Sequence, residues 1–154
     1  MQQFAATIAW QRGAQPFLDQ RYSRAHQWQF DGGLRVPASS SPLSVPLPMS
    51  DPGAVDPEEA LVAALSGCHM LFFLSLAARQ GYIVDSYRDA AVGTMEPDAD
   101  GKKSMTRIAL RPAIAFSGAR QPDAAALAAL HHEAHALCYI ANSIKAEVTI
   151  EAAS

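Results

Sequence analysis

Apolar and polar residues fall along the chain in blocks of two distinct periods. Phe4–Trp10 is mostly apolar, and His26–Phe30 alternates, with Trp28 and Phe30 on one side. Asp31-Gly32-Gly33 is a turn sequence that tolerates positive φ, and Leu34–Val36 resumes the alternation, which predicts a hairpin. The next stretch, Pro37–Pro57, sets Pro37, Pro42, Pro46, Pro48, Pro52 and Pro57 among serines. Prolines at that density exclude a helix and most ladder pairing, so an extended connecting arm is expected. An arm of about 20 residues is long for a compact domain and points to function or to exchange between subunits.

At Asp56-Pro57-Glu58-Glu59 the period changes. Asp56 can cap a helix, Pro57 suits its first position, and both glutamates favour the positive end of the dipole. The helix is expected to run to about Arg79 and end near Gly81. Tyr82–Glu96 and Lys102–Phe116 flank Pro97-Asp98-Ala99-Asp100-Gly101, which predicts a long hairpin, with Ser104–Leu110 as a one-sided strand. Pro122-Asp123 opens a second helix through about Ile140, its stripe formed by Leu127, Leu130, Ala134, Leu137 and Ala141. Ile144, Ala146, Val148 and Ile150 then alternate with Lys145, Glu147, Thr149 and Glu151 as a closing strand. The sum is an α+β chain of one domain over residues 1–154: a hairpin and arm over 1–55, then helix, hairpin, helix and strand over 56–154.

Composition narrows the function classes. With 49% hydrophobic and 18% charged residues the chain is expected to build a generous core rather than remain disordered. A net charge of −3 with 12 lysines and arginines argues against a nucleic-acid partner. Ala60–Ala78 carries no formal charge and is long enough to cross a membrane. It holds Ser66, Gly67, Cys68, His69 and Ser75 in its middle and has no basic cluster or aromatic belt, so a helix buried all round is expected instead of a membrane span. No secretory signal is read at the start, which makes the cytoplasm the expected location.

Two cysteines are too few for a disulfide scaffold. Both fall on predicted helices, each in a short polar interruption: Ser66-Gly67-Cys68-His69 and His135-Ala136-Leu137-Cys138. Gly67 is a poor helix residue, at roughly 1 kcal/mol against Ala; a second backbone approaching Cys68 would explain it. A thiol in an apolar helix is inert without a nearby cation. His69 is adjacent in sequence but points about 100° away, so the first third of the chain, with Arg12, Arg21, Arg24 and Arg35, is the expected source.

Asp56-Pro57-Glu58-Glu59-Ala60-Leu61, followed by Ala63-Ala64-Leu65-Ser66-Gly67-Cys68-His69, resembles the central-helix motif of the OsmC/Ohr family of osmotically inducible and organic hydroperoxide resistance proteins. His135-Ala136-Leu137-Cys138-Tyr139-Ile140-Ala141-Asn142-Ser143, running into a strand, resembles that family's second cysteine motif. The resemblance spans about Thr7 to Ile150. It implies an OsmC-like fold, with antiparallel sheets packed around a long central apolar helix in an intertwined homodimer, and a thiol peroxidase without a cofactor. Cys68 would attack an organic hydroperoxide and become a sulfenic acid. Cys138 would close a disulfide with it, and an external dithiol, of lipoyl type for example, would reduce that bond. Family members use an Arg to hold the thiolate and a Glu to hold the Arg; these carry over to Arg24, with Arg21 as the alternative, and to Glu58. This chain departs from the pattern at Tyr139, where members often carry Pro, and has His69 after its first cysteine.

Helix geometry adds an independent constraint. Ten residues at 1.5 Å each put Glu58 about 15 Å from Cys68 on one unbroken helix. Glu58 can therefore serve Cys68 only across a subunit boundary or a broken helix. Two other readings compete. His131, His135 and Cys138 share one helical face and, with Cys68, could form a zinc set, although His131 and His132 read more simply as surface residues. Trp10, Trp28, Phe72, Phe73, Phe116 and Tyr139 could line the pocket of a non-catalytic small-molecule binder.

Overall fold

The structure, a computed structural model, describes residues 1–151. The chain forms two compact units, Met1–Ala60 and a second from Leu61 onward.

In the first unit, β1 (Ala6–Ala9), β2 (His26–Phe30) and β3 (Arg35–Ala38) form an antiparallel sheet in that order. The expected turn is present: Gly33 takes φ +88°, and the Phe30 amide donates to the Leu34 carbonyl at 2.9 Å. The proline-rich arm is not extended. It folds back on the sheet edge, where the Ser39 amide donates to Val55 (3.0 Å) and the Val55 amide to the Pro37 carbonyl (3.1 Å). Asp51 donates to the Ser39 hydroxyl at 3.0 Å. Proline removes repeated ladder donors, but the remaining amides still require partners, and single bonds of this kind supply them.

Helix α1, Pro57–Arg79, has the predicted bounds. Asp56 accepts the Glu59 amide at 2.8 Å, while the Glu59 carboxylate lies 3.5 Å from the Asp56 amide, a reciprocal cap. At the other end Gly81 takes φ +78°, Tyr82 donates to Ala77 (3.0 Å) and Gly81 to Ala78 (3.0 Å), the two bonds of a Schellman stop.

The long hairpin forms but breaks into two sheets. Its inner half pairs β5 (Val92–Pro97) with β6 (Lys103–Leu110), and its outer half pairs β4 (Ile83–Asp89) with β7 (Pro112–Ser117). The break lies where Pro112 lacks an amide hydrogen and Asp89 takes the Arg111 amide at 2.6 Å through its side chain. Strand β8 (Glu147–Ile150) joins β6 in parallel, so the inner sheet is mixed. Helix α2 (Ala124–Leu137), capped by Asp123 on the Ala126 amide at 2.8 Å, ends before the predicted Ile140. Cys138 sits at its C-cap with ψ 114°, outside the helix, and Ala141–Ser143 form a single 3-10 turn.

Two apolar clusters organise the second unit along α1. Leu65 joins Ile108, Leu110 and Cys138 under the inner sheet. Phe73, Leu76 and Ala77 join Tyr82, Leu130 and Ala134 between the outer sheet and α2. Gly93 lets β5 close on α1: a Cβ there would stand 2.7 Å from Val62 and 2.6 Å from the Met105 sulfur.

Candidate active site

Cys68 and Cys138 come from different elements and meet. Both are free thiols; Cys138 is fully buried and Cys68 half-buried. Their side chains lie within hydrogen-bonding reach of each other. Burial pushes the Cys138 thiol up to about 11, against the pull of the Ala141 amide, which donates to its sulfur at 3.4 Å. The early end of α2 makes this possible, because the amides that follow a helix end are free to turn toward the sulfur.

Cys68 opens onto a groove of about 590 Å³ along α1. Gly67, Leu71, Phe72 and Leu76 line it from the helix, Leu137 and Tyr139 from the end of α2, and Arg79 closes one end. Tyr139 meets Phe72 edge-on, with centroids 5.0 Å apart. Gly67 faces open space, with nothing of the described chain within 4 Å of a Cβ built on it. Of the six aromatics proposed to line a pocket, only Phe72 and Tyr139 do so. Phe73 is core and Phe116 packs against it, while Trp10 meets Phe17 at a tilt and Tyr22 edge-on in the first unit and Trp28 lies beside His26.

Arg24 is half-buried in the first unit. Its guanidinium lies 3.8 Å from the Tyr22 ring centre and donates to the Gln20 carbonyl at 2.7 Å and to the Tyr22 carbonyl. Arg21 is exposed, its amide held by Asp19 at 3.0 Å. Glu58 stands in the first turn of the unbroken α1 with one carboxylate oxygen buried and unpartnered. Among the described residues the only ion pair joins Arg111 and Glu151, so the single chain does not pair Arg24 with Glu58.

The histidines are placed differently from the sequence reading. His131, expected at the surface, is 4% exposed, and His69 is 1% exposed. His69 Nε2 and His131 Nδ1 are 3.0 Å apart, their rings stacked 9° from parallel, and His131 also packs on Phe73 at 4.5 Å. Burial first, then the neighbouring His131 and His135, lower His69 to about 4 against the opposing pull of Asp89. His69 is therefore neutral at pH 7 and is no cation for Cys68. The proposed zinc set does not assemble: no three His, Cys, Asp or Glu side chains among the described residues are grouped to hold a metal.

Sequence reasoning missed Arg79 and the histidine pair. The first was legible in the spacing Cys68, Phe72, Ser75, Arg79, which keeps one stripe of a helix. The second was not, because His131 sits in an Ala-rich helix whose buried side depends on which sheet covers it.

A long apolar helix lying under two sheets, with one cysteine from its middle meeting another from the end of a second helix, defines an α+β architecture built around a thiol pair. The chain belongs to the OsmC family: the OsmC-like protein profile matches residues 50–153. An OsmC-like protein of unknown function from Vibrio cholerae is 50% identical, with a TM-score of 0.98 over 99% of this chain and 100% of that one. An organic hydroperoxide resistance protein from Legionella pneumophila (15% identity, TM-score 0.67, covering 100% and 98%) shares the fold. So does organic hydroperoxide resistance protein OhrB of Bacillus subtilis (17% identity, TM-score 0.66, covering 97% and 98%). No curated protein matches the chain in sequence.

Proposed function

We propose that the protein is a cytoplasmic thiol peroxidase that reduces organic hydroperoxides with Cys68 and Cys138. The observation that carries this reading is the thiol pair itself: one sulfur open to an apolar groove, the second buried and within hydrogen-bonding reach of the first. Cys68, as thiolate, attacks the terminal peroxide oxygen; the O–O bond breaks, and the alkoxide takes up a proton and leaves as an alcohol. Cys68 is now a sulfenic acid, oxidised by two electrons. Cys138 then attacks the Cys68 sulfur, the S–O bond breaks, and the thiol proton leaves with the hydroxide as water. An external dithiol of lipoyl type returns two electrons and two protons to the disulfide. With its proton held up to about 11, Cys138 remains a thiol until the sulfenic acid forms beside it.

A second copy completes the site in an intertwined homodimer. Only 28% of the most apolar stretch of α1 is buried within one chain, and β1 is exposed along its length. Ten residues of unbroken helix separate Glu58 from Cys68, so a partner's Glu58, freeing Arg24 from its own loop, is the arrangement that completes the site.

Cumene hydroperoxide added stoichiometrically should consume both thiols and yield an intramolecular disulfide on non-reducing analysis. Cys68→Ser should abolish turnover, and Cys138→Ser should allow one turnover and leave a sulfenic acid that dimedone traps. Unchanged turnover in Cys68→Ser refutes the assignment and leaves a binding protein with idle thiols. Arg24→Ala should slow alkylation of Cys68 at neutral pH by about tenfold or more, as expected for a lost charge partner.

A further inference from the structure

Arg24 precedes β2 in the chain and lies outside its ladder, yet both polar groups of its backbone are bound. Its amide donates to the Met49 carbonyl of the proline-rich arm at 2.8 Å. Its carbonyl lies 2.8 Å from Nδ1 of His26, the first residue of β2. Nε2 of the same ring lies 2.9 Å from the indole Nε1 of Trp28, which shares that face of the strand. An indole N–H only donates and a carbonyl only accepts. The two contacts together fix the tautomer: Nε2 accepts from Trp28, and Nδ1 carries the hydrogen donated to Arg24. His26 is itself registered opposite Ala38 of β3, so the ring stands on a paired strand.

We propose that His26 is a positioning residue for Arg24, fixing through its carbonyl the point from which the guanidinium reaches the Cys68 thiolate. This role rests on the reading of Arg24 as the charge partner of Cys68. The guanidinium can leave the Gln20 and Tyr22 carbonyls without disturbing either backbone bond, so the side chain is redirected while its base stays in place. Such support matters because a misplacement of about 1 Å costs up to about a hundredfold in rate, and a ring on a strand is a firmer support than a loop.

The test follows alkylation of Cys68 by iodoacetamide against pH in a Cys138→Ser background, where Cys68 is the only thiol. His26→Leu should slow alkylation at neutral pH by about three- to tenfold and leave the limiting rate at high pH little changed. The loss should be smaller than in Arg24→Ala, because the charge and the Met49 bond both remain. His26→Asn, whose amide nitrogen falls where Nδ1 stands, should restore most of the rate; His26→Gln, whose longer amide reaches Trp28 instead, should not. In an Arg24→Ala background His26→Leu should add nothing. Equal slowing with and without Arg24 overturns the proposal, as does rescue by Gln and not by Asn, which assigns the ring to Trp28 and the sheet. Arg24→Ala without effect removes the reading of Arg24 and this role with it. A slowed Arg24→Ala beside an unaltered His26→Leu removes this role alone.

Discussion

Cys68 and His69 are neighbours in sequence, yet they stand in opposite environments on the same helix. Cys68 faces a groove; His69 is sealed between α1 and α2, stacked on His131. Adjacent helical positions differ by about 100°, enough to carry one side chain out of the core and the other into it. The buried face holds Leu65, His69, Phe73, Leu76 and Ala77, while the open face leaves Leu71 65% exposed. A helix that reads as uniformly apolar thus has one face that builds the fold and another that is available for chemistry. Burial, not the residue type, separates the two: it keeps the histidines neutral and leaves the thiol of Cys68 accessible.

The largest difference between the faces should appear on truncation. Phe73 is fully buried and touches Tyr87 and His131, with centroids 5.6 and 4.5 Å away. Phe73→Ala is expected to destabilise the protein by about 3–5 kcal/mol in urea unfolding. Leu71→Ala should change monomer unfolding by no more than about 0.5 kcal/mol. Similar losses at both positions would erase the distinction between a structural and a free face.

Much of this was readable beforehand. Both ends of α1 were legible because caps are local: Asp56, Pro57 and Gly81 act through neighbouring amides whatever packs above them. The two thiols were legible as polar interruptions of apolar helices. The break in the long hairpin was not, since Asp89 draws off the Arg111 amide and donates nothing to local propensity. Nor was the end of α2, where the Ala-rich pattern continues past Leu137 but Cys138 leaves the helix to meet Cys68. The arm failed for a related reason: proline density predicts what the segment cannot form, and says nothing about the single hydrogen bonds that fold it back.

The second prediction concerns acid. His69 is lowered from its ordinary 6.5 to about 4 and His131 is lowered also, both chiefly by burial. The unfolded chain therefore binds more protons than the native one between these values, so the stabilisation is complete above about pH 6.5 and is lost as pH falls toward 4. For His69 alone the loss is of the order of 3 kcal/mol. Urea midpoints measured from pH 7 to pH 4.5 should fall in the wild type and fall less in His69→Leu/His131→Leu. An acid limb unaltered by the double substitution would assign it to carboxylates instead.

Gly93 sharpens the contrast from the sheet side. A methyl group there meets Val62 at 2.7 Å and the Met105 sulfur at 2.6 Å, inside any normal contact distance. Met105 can shift, whereas branched Val62 on the helix yields less. Gly93→Ala should destabilise by about 1–3 kcal/mol, the range for overpacking, and Val62→Ala in the same background should restore part of the loss.

The smallest effect is expected at the other helix-lining glycine, and its sign carries the information. Gly67 lies next to Cys68 on the open side, with nothing of the described chain within 4 Å of an added Cβ. Within one chain, Gly67→Ala should therefore stabilise α1 by up to about 1 kcal/mol, the difference in helix propensity between the two residues. Chemical unfolding at low micromolar concentration, with the monomer confirmed by sedimentation, measures that term alone. Repeating it at concentrations where the proposed dimer would dominate adds the second chain. A gain at low concentration that reverses at high concentration places a partner backbone against Gly67, the close approach first suggested by a glycine in mid-helix. A gain that persists at both leaves the position to the groove, where, on the proposed function, the new methyl group should raise KM for bulky hydroperoxides.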